Sequence, residues 1–192
     1  MKNELRKDIL IKRSSVSNGD RALWDQLIFE RAHKLRAFQL AQRVHIYRSV
    51  RDEVETTPFI EYAWGIGKQV YVPFVPAGKS SMLHCRVTWQ TQWREGAFGI
   101  QEPIPDSVDD VIDEDSFFDE HCAIVVPIVA FDRTCHRIGY GKGFYDRFLQ
   151  NARSTSIGLA YELQRVTNIV HDPHDVPLTC VATEERWYVP SV

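Results

Sequence analysis

One segment in the C-terminal half of the chain combines alternating glycines with basic side chains. Gly139, Gly141 and Gly143 lie between an apolar, strand-like run and a helix-like pattern. Alternating glycines let the backbone turn its N–H groups toward one point, and a following helix start adds the positive end of its dipole. Lys142 adds a point charge, and Arg137 adds a fork of donors for two oxygens. This pattern predicts a cradle for a polyphosphate.

Two better-known glycine motifs do not match this segment. A Walker A loop has a glycine five residues before its Gly-Lys pair and a Ser or Thr after it, but His136 and Gly143 occupy those positions here. The dinucleotide fingerprint G-x-G-x-x-G has its third glycine one residue later than this chain does. A tight glycine turn without a ligand is the structural alternative, although three glycines, two cations and two aromatic residues rarely share one loop without use.

The composition is that of an ordinary globular protein. The chain has 192 residues, of which 44 % are hydrophobic and 26 % are charged, and its formal net charge is −3. We therefore expect one compact domain over residues 1–192. The sequence has no excess of positive charge to bind nucleic acid and no apolar run of membrane-spanning length. Four scattered cysteines and an N-terminus without an apolar signal core predict a cytoplasmic protein, which we expect to be a monomer.

The elements that must position the glycine segment alternate between helix and strand. Two amphipathic helices are predicted within the first 40 residues, with a break at residues 17–20, and the second of them carries Leu35. The β-α-β order that follows predicts a parallel sheet. Further predicted elements are strands at 44–47, 69–72, 82–89, 123–126, 156–159 and 179–183, helices opening at 55–58 and running over 143–149, an irregular loop at 93–105 and an acidic, partly helical surface segment at 106–120.

These elements predict an α/β fold, a three-layer sandwich around a mostly parallel central sheet in a single domain. Ligands of open α/β sheets bind beyond the carboxyl ends of the central strands. The glycine segment follows the most apolar predicted strand, at 123–126, and therefore falls at such a place.

Residues 137–147, Arg-Ile-Gly-Tyr-Gly-Lys-Gly-Phe-Tyr-Asp-Arg, resemble the signature of the 5-formyltetrahydrofolate cyclo-ligase family, also called 5,10-methenyltetrahydrofolate synthetases. The opening helix with Lys2 and Arg6 is similar to that of the family. Three further segments, at 47–56, 67–73 and 98–103, are similar to segments of the family in order and spacing. The resemblance therefore covers nearly the whole chain.

The resemblance implies an enzyme for an ATP-dependent ring closure, with ATP as co-substrate and Mg²⁺ as the metal ion. ATP phosphorylates the formyl oxygen of 5-formyltetrahydrofolate in this family, and N10 of the folate attacks the activated carbon. Loss of phosphate leaves 5,10-methenyltetrahydrofolate and ADP. The chain has no G-x-S-x-G elbow and no recognisable Cys-His dyad, which agrees with a nucleophile that belongs to the substrate.

The resemblance also implies roles for individual residues. Lys142 and Arg137 are the implied catalytic residues, and Asp146 is the implied Mg²⁺ ligand. Glu53 would bind the paired donors of the pterin edge. The implied ATP-binding residues are Lys2, Arg6, Arg137, Ile138, Gly139, Tyr140, Gly141, Lys142, Gly143, Phe144 and Tyr145. The implied folate-binding residues are Arg48, Glu53, Phe98, Tyr140 and Phe144.

Some positions leave alternatives open. Thr179 stands where some relatives carry a second magnesium-linked Asp, and Arg48 stands where an apolar residue can occur. A degenerate relative that binds nucleotide or folate without turnover is therefore the alternative function, whereas the glycine spacing disfavours a Rossmann-type oxidoreductase. His171, His174 and Asp175 are interpreted as polar loop residues.

Overall fold

The computed structural model describes residues 2–76, 81–96, 100–113, 121–150 and 152–190. Within these ranges, no helix has the length and the apolar character that crossing a bilayer requires. The helices are α1 (Lys2–Ser14), α2 (Asn18–Ala32), α3 (Arg36–Leu40), α4 (Thr57–Gly65) and α5 (Phe144–Gln150). The strands are β1 (Arg43–Ile46), β2 (Gln69–Phe74), β3 (Leu83–Val87), β4 (Gln92–Glu95), β5 (Gln101–Ile104), β6 (Val111–Ile112), β7 (Cys122–Pro127), β8 (Ala130–Phe131), β9 (Arg137–Ile138), β10 (Thr155–Leu159), β11 (Cys180–Ala182) and β12 (Trp187–Tyr188).

Eight of these strands form one sheet in the order β12-β11-β10-β7-β1-β2-β3-β6. The strands from β11 to β2 in this order are parallel neighbours. Strand β12 at one side, and β3 and β6 at the other, are added in antiparallel fashion. Strand β7 is buried over Cys122 to Val126 because both of its faces are covered, which explains its unbroken apolar sequence. The predicted α/β class with a mostly parallel central sheet is confirmed.

Helices cover both faces of the sheet and produce the three predicted layers. On one face, Phe38 of α3 and Ile60 of α4 belong to the core that also includes α2. On the other face, Phe148 of α5 packs into a second core. Helix α1 forms a smaller cluster with the β8–β9 hairpin through Ile9 and Ile138. This packing brings α1 beside the glycine segment, which directly follows β9.

A buried aspartate, Asp132, holds the hairpin that leads into the glycine segment. Its Oδ1 accepts hydrogen bonds from the backbone N–H groups of Thr134 at 2.9 Å and His136 at 3.2 Å, and its Oδ2 accepts one from Ile169 at 2.9 Å. Strands β8 and β9 pair on either side of this turn. Because the hairpin begins a few residues after β7, the glycine segment lies beyond the carboxyl end of the central strand, as predicted.

The prediction of an irregular loop at 93–105 is wrong, because its two ends pair as a β-hairpin. Strands β4 and β5 are antiparallel, with Trp93 opposite Pro103 and Arg94 opposite Glu102. Arg94 and Glu102 also form an ion pair at 3.8 Å. Both strands are short and largely polar, so their sequence lacks the apolar alternation by which a strand is identified.

Three other predicted boundaries also change. The second predicted helix ends at Ala32, and Leu35 lies before α3 with a ψ of 129°, which breaks the helical ladder. The predicted last strand is followed by β12, which turns back onto β11. In the acidic segment, residues 108–110 form a single 3₁₀ turn before β6, and residues 114–120 lie outside the described ranges.

Two histidines are buried in the core between the sheet and α5. The ring centroids of His45 of β1 and His84 of β3 are 4.8 Å apart, and both rings lie against Phe148. Burial lowers the pKa of His45 well below its usual value and lowers the pKa of His84 to about 4. Both imidazoles are therefore neutral at neutral pH, and their protonation in the folded state is unfavourable.

Acid is expected to destabilise the protein through these histidines. The unfolded chain takes up protons near the ordinary histidine pKa of about 6.5, whereas folded His84 resists them down to about pH 4. The free energy of unfolding should therefore fall as the pH decreases from 7 to 5, and His84→Phe should reduce that fall by about 1–2 kcal/mol. Urea titrations at both pH values measure this effect, with His174→Gln as the exposed control. An unchanged pH dependence in His84→Phe would contradict the assignment.

Candidate active site

One buried threonine, Thr56, closes the loop that follows β1. Its Oγ1 donates to the carbonyl oxygen of Tyr47 at 2.8 Å and accepts from the N–H of Ser49 at 3.0 Å. Within this loop, the N–H of Val50 donates to Glu53 Oε2 at 3.0 Å. Glu53 is only 7 % exposed. The loop therefore presents a fixed, buried carboxylate beyond the carboxyl end of β1.

Three segments of the chain meet at Glu53. The Tyr140 hydroxyl, from the glycine segment, donates to Glu53 Oε1 at 2.6 Å. Arg13, in the last turn of α1, donates from Nη2 to the Tyr140 oxygen at 2.8 Å. Burial raises the pKa of Glu53, and the hydrogen bonds from Tyr140 and Val50 oppose that shift. Burial and the Glu53 carboxylate raise the pKa of Tyr140 to about 12, so this phenol keeps its proton at neutral pH.

The glycine segment forms a turn that α1 contacts directly. Gly141 (φ +92°) and Gly143 (φ +67°) have left-handed backbone conformations, which favour glycine. Arg6 Nε donates to the carbonyl oxygen of Gly139 at 2.7 Å. Lys142 is exposed on the same turn. Helix α1 therefore brings a second cation, Arg6, to the predicted phosphate cradle.

Arg137 is enclosed by the protein, with a side chain that is 4 % exposed. Its Nη1 donates to the carbonyl oxygen of Val176 at 2.6 Å, and its Nη2 pairs with Asp146 Oδ1 at 2.8 Å. Burial lowers the pKa of Arg137, and the charge of Asp146 opposes that shift. Asp146 lies in the first turn of α5 and its side chain is 29 % exposed. The ion pair therefore connects β9, which precedes the glycine turn, to the start of α5, which follows it.

Lys2 is held by two carboxylates of a loop that is distant in sequence. Its Nζ lies 2.8 Å from Asp175 Oδ2 and 3.0 Å from Asp172 Oδ2. The hydrogen bond to Asp175 is the main cause of the raised pKa of Lys2. Asp172, His174 and Asp175 bring their potential ligand atoms within 4.8 Å of one another. The implied phosphate-binding lysine therefore neutralises part of the negative charge of this cluster.

A cation–π contact links the loop after β1 to the β4–β5 hairpin. The guanidinium carbon of Arg48 lies 4.9 Å from the centroid of the Trp93 ring. Such a contact holds the guanidinium plane while its edge can still donate hydrogen bonds. Phe98, which the resemblance also implies in folate binding, lies outside the described residues.

The two aromatic residues that follow Gly143 are partly buried against the core that contains Phe148. Phe144 lies under the guanidinium of Arg147, at 5.2 Å from its ring centroid. The hydroxyl of Tyr145 is buried and has no hydrogen-bond partner among the described residues. Ile138, on the other side of the turn, is buried in the cluster with α1, so its side chain serves packing.

Thr179 directly precedes β11 and is hydrogen-bonded to Ser156 of β10. Its N–H donates to Ser156 Oγ at 2.9 Å, and its Oγ1 accepts from the Ser156 N–H at 3.1 Å. These residues lie at the amino ends of β10 and β11, whereas the glycine turn lies beyond the carboxyl end of the parallel neighbour β7.

Sequence reasoning assigned no role in the site to Arg13, Asp172 or Trp93. The apolar pattern of the first helix predicts that Arg13 faces solvent, and this is wrong because Arg13 is 3 % exposed. Only Arg13 had a usable signal, because it follows Arg6 by two helical turns and so shares its face of α1. The contacts of Asp172 and Trp93 are with residues distant in sequence, so no local pattern of residues predicts them.

Comparisons with known proteins agree with the resemblance seen in residues 137–147. A model of the 5-formyltetrahydrofolate cyclo-ligase family matches residues 1–184. The chain is 32 % identical to the 5-formyltetrahydrofolate cyclo-ligase of Haemophilus influenzae over an alignment of 181 residues. This alignment covers 92 % of this chain and 94 % of that protein. The chain is 32 % identical over 151 residues to the protein of that name from Escherichia coli K12, covering 77 % and 80 %. The NMR structure of Aquifex aeolicus 5,10-methenyltetrahydrofolate synthetase has a TM-score of 0.82 and 29 % identity, covering 98 % of this chain and 92 % of that one.

The glycine turn provides a direct test by paired substitutions. A Cβ atom at Gly141 would lie 3.3 Å from Arg6 Nη2 at a positive φ, whereas a Cβ atom at Gly139 would have nothing within 4 Å. Gly141→Ala should therefore lower the free energy of unfolding by about 1–2 kcal/mol, and Gly139→Ala by much less. Urea denaturation of the two variants measures the difference. Equal stability of both variants would contradict the described turn.

Proposed function

Because the chain belongs to the 5-formyltetrahydrofolate cyclo-ligase family and is therefore a ligase enzyme, we propose that it converts 5-formyltetrahydrofolate and ATP into 5,10-methenyltetrahydrofolate, ADP and phosphate. The observation that carries this proposal is the hydrogen bond of 2.6 Å between Tyr140 and Glu53. It joins the turn that is suited to a triphosphate to the carboxylate that is suited to a pterin. The two substrates would therefore bind side by side.

The proposed chemistry needs no nucleophile from the protein. The formyl oxygen attacks the γ-phosphorus of ATP, and the bond between that phosphorus and the β-γ bridging oxygen breaks to release ADP. The folate N10 then attacks the activated formyl carbon, N10 loses its proton, and the C–O bond breaks with departure of phosphate. The protein contributes positioning and charge stabilisation.

The cations around the glycine turn would hold the triphosphate. Lys142 is exposed on the turn, and Arg6 is anchored to the carbonyl oxygen of Gly139. We assign Lys142 to the charge that develops on the transferring phosphoryl group, because a lysine acts as a mobile point charge. Each terminal nitrogen of Arg137 has a second N–H beyond the bonds it makes to Val176 and Asp146. The Lys2 ammonium group has three N–H donors, and its bonds to Asp172 and Asp175 use two of them, so the third would bind a phosphate.

The Glu53 carboxylate would hold the pterin. Among the described residues, each of its oxygens accepts one hydrogen bond, from Tyr140 on Oε1 and from Val50 on Oε2. A carboxylate oxygen can accept two hydrogen bonds, so one position remains on each oxygen. Two parallel acceptors match the paired N–H donors of a pterin edge. Arg48, Tyr140 and Phe144 complete the proposed folate side.

Asp146 fits the Mg²⁺ that the resemblance implies. Its carboxylate is a hard oxygen donor, is partly exposed, and follows the glycine turn by three residues. Mg²⁺ is usually bound by one or two carboxylates together with substrate phosphates, whose charge it neutralises. Arg137 holds the Asp146 side chain through Oδ1. We further propose that the chain acts as one domain over residues 1–192 and as a cytoplasmic monomer.

Turnover is tested by mixing the protein with 5-formyltetrahydrofolate and Mg-ATP and following the methenyl chromophore. Lys142→Ala should reduce kcat by about 100-fold or more, because a charge aimed at the transition state is lost. Its fold should remain intact because the side chain is exposed. Lys34→Ala is the matched control, since Lys34 is an exposed lysine in the turn after α2 and its ion pair among the described residues is with Glu30.

Two outcomes would count against these assignments. Near-normal activity of folded Lys142→Ala would refute the role of Lys142. Tight binding of folate by the wild-type protein without any turnover would favour the non-catalytic binding protein instead.

A further inference from the structure

Arg13 is a buried cation that the proposed reaction does not yet use. It is 3 % exposed and lies in the last turn of α1. Its Nη1 donates to the carbonyl oxygen of Ile128 at 3.3 Å and its Nη2 to the hydroxyl of Tyr140 at 2.8 Å. Its Nε is buried with no hydrogen-bond partner in the part of the chain that the structure describes. Burying a guanidinium with incomplete hydrogen bonding costs stability, so packing alone does not explain this residue.

The guanidinium of Arg13 determines the direction of the Tyr140 hydroxyl proton. An arginine side chain has donors and no acceptor. The Tyr140 oxygen must therefore accept from Arg13, and its single proton is left to point at Glu53 Oε1, 2.6 Å away. A hydroxyl without such a donor can rotate and choose between donating and accepting.

The oriented hydroxyl in turn fixes Glu53. Tyr140 binds Oε1 and the Val50 N–H binds Oε2, so the carboxylate plane is held from both sides. The positive charge of Arg13 also opposes the rise in the pKa of Glu53 that burial causes. These contacts favour the ionised carboxylate, and the hydrogen bonds from the described residues leave one acceptor position on each oxygen.

We propose that Arg13 is a positioning residue for pterin binding, which acts through the Tyr140 hydroxyl to orient Glu53 as a two-point acceptor. This inference rests on the proposed function, which assigns the pterin to Glu53. Arg6 lies two helical turns earlier on α1 and contacts the carbonyl oxygen of Gly139. The same helix therefore holds the nucleotide end of the segment through Arg6 and the pterin end through Arg13.

The test compares KM and kcat in Arg13 and Tyr140 variants. Arg13→Met should raise the KM for 5-formyltetrahydrofolate by about tenfold or more, while kcat at saturation changes by less than about threefold. Tyr140→Phe should have a similar effect, since it removes only the hydroxyl of a residue that is 45 % exposed. The double variant should be no worse than the worse single variant, because both changes break one chain of hydrogen bonds. Arg13→Lys should recover most of the loss.

Arg31→Met is the control for loss of a partly buried arginine. Arg31, in α2, also donates to backbone carbonyl oxygens, those of Thr183 and Glu185, but has no contact with Tyr140 among its described hydrogen bonds. Its KM for folate should equal that of the wild type. Should Arg13→Met fail to fold, Tyr140→Phe decides: a raised KM supports the proposal and an unchanged KM overturns it.

The outcomes separate this proposal from the function on which it rests. A wild-type folate KM in folded Arg13→Met, or additive effects in the double variant, overturns the role of Arg13 while leaving the cyclo-ligase activity intact. Absence of turnover in the wild-type protein, or an unchanged folate KM in Glu53→Gln, overturns the assignment of the pterin to Glu53 and the role of Arg13 with it.

Discussion

Glu53 imposes the strongest physical constraint on the candidate site, because a carboxylate that is 7 % exposed needs donors and positive charge around it. These come from three separate parts of the chain. The loop after β1 supplies the Val50 N–H, the glycine turn supplies the Tyr140 hydroxyl, and α1 supplies the charge of Arg13. Satisfying this one group therefore fixes the relative positions of a helix, a strand end and a turn.

The cations near the glycine turn are subject to a related constraint. Basic side chains that lie close together repel one another unless anionic groups lie between them. Two of them have carboxylate partners: Lys2 with Asp172 and Asp175, and Arg137 with Asp146. The pairs of Lys2 are partly exposed, and such ion pairs contribute little net stability, so exchanging a carboxylate for a phosphate is energetically easy. The Arg137 guanidinium is enclosed, which suits an anchor for the start of α5.

Prediction from the sequence succeeded where the residue pattern of a single element indicates how that element is buried. The apolar run of β7 indicated a strand covered on both faces, and the structure has it at the centre of the parallel sheet. The β4–β5 hairpin was missed because its pairing depends on cross-strand partners such as Arg94 and Glu102 rather than on apolar alternation. The same holds for β12, which exists as a strand only because β11 lies beside it.

The sequence by itself determined the family, the α/β class and the glycine turn, because each can be identified from residues that are close together along the chain. Only the tertiary structure decided which distant groups meet. Arg13 and Tyr140 are 127 residues apart, Tyr140 and Glu53 are 87 apart, and Lys2 and Asp175 are 173 apart. Periodicity and motif spacing carry no information over such separations. The contacts arise because parallel strands bring their carboxyl ends to one edge, where α1 packs across the β8–β9 hairpin.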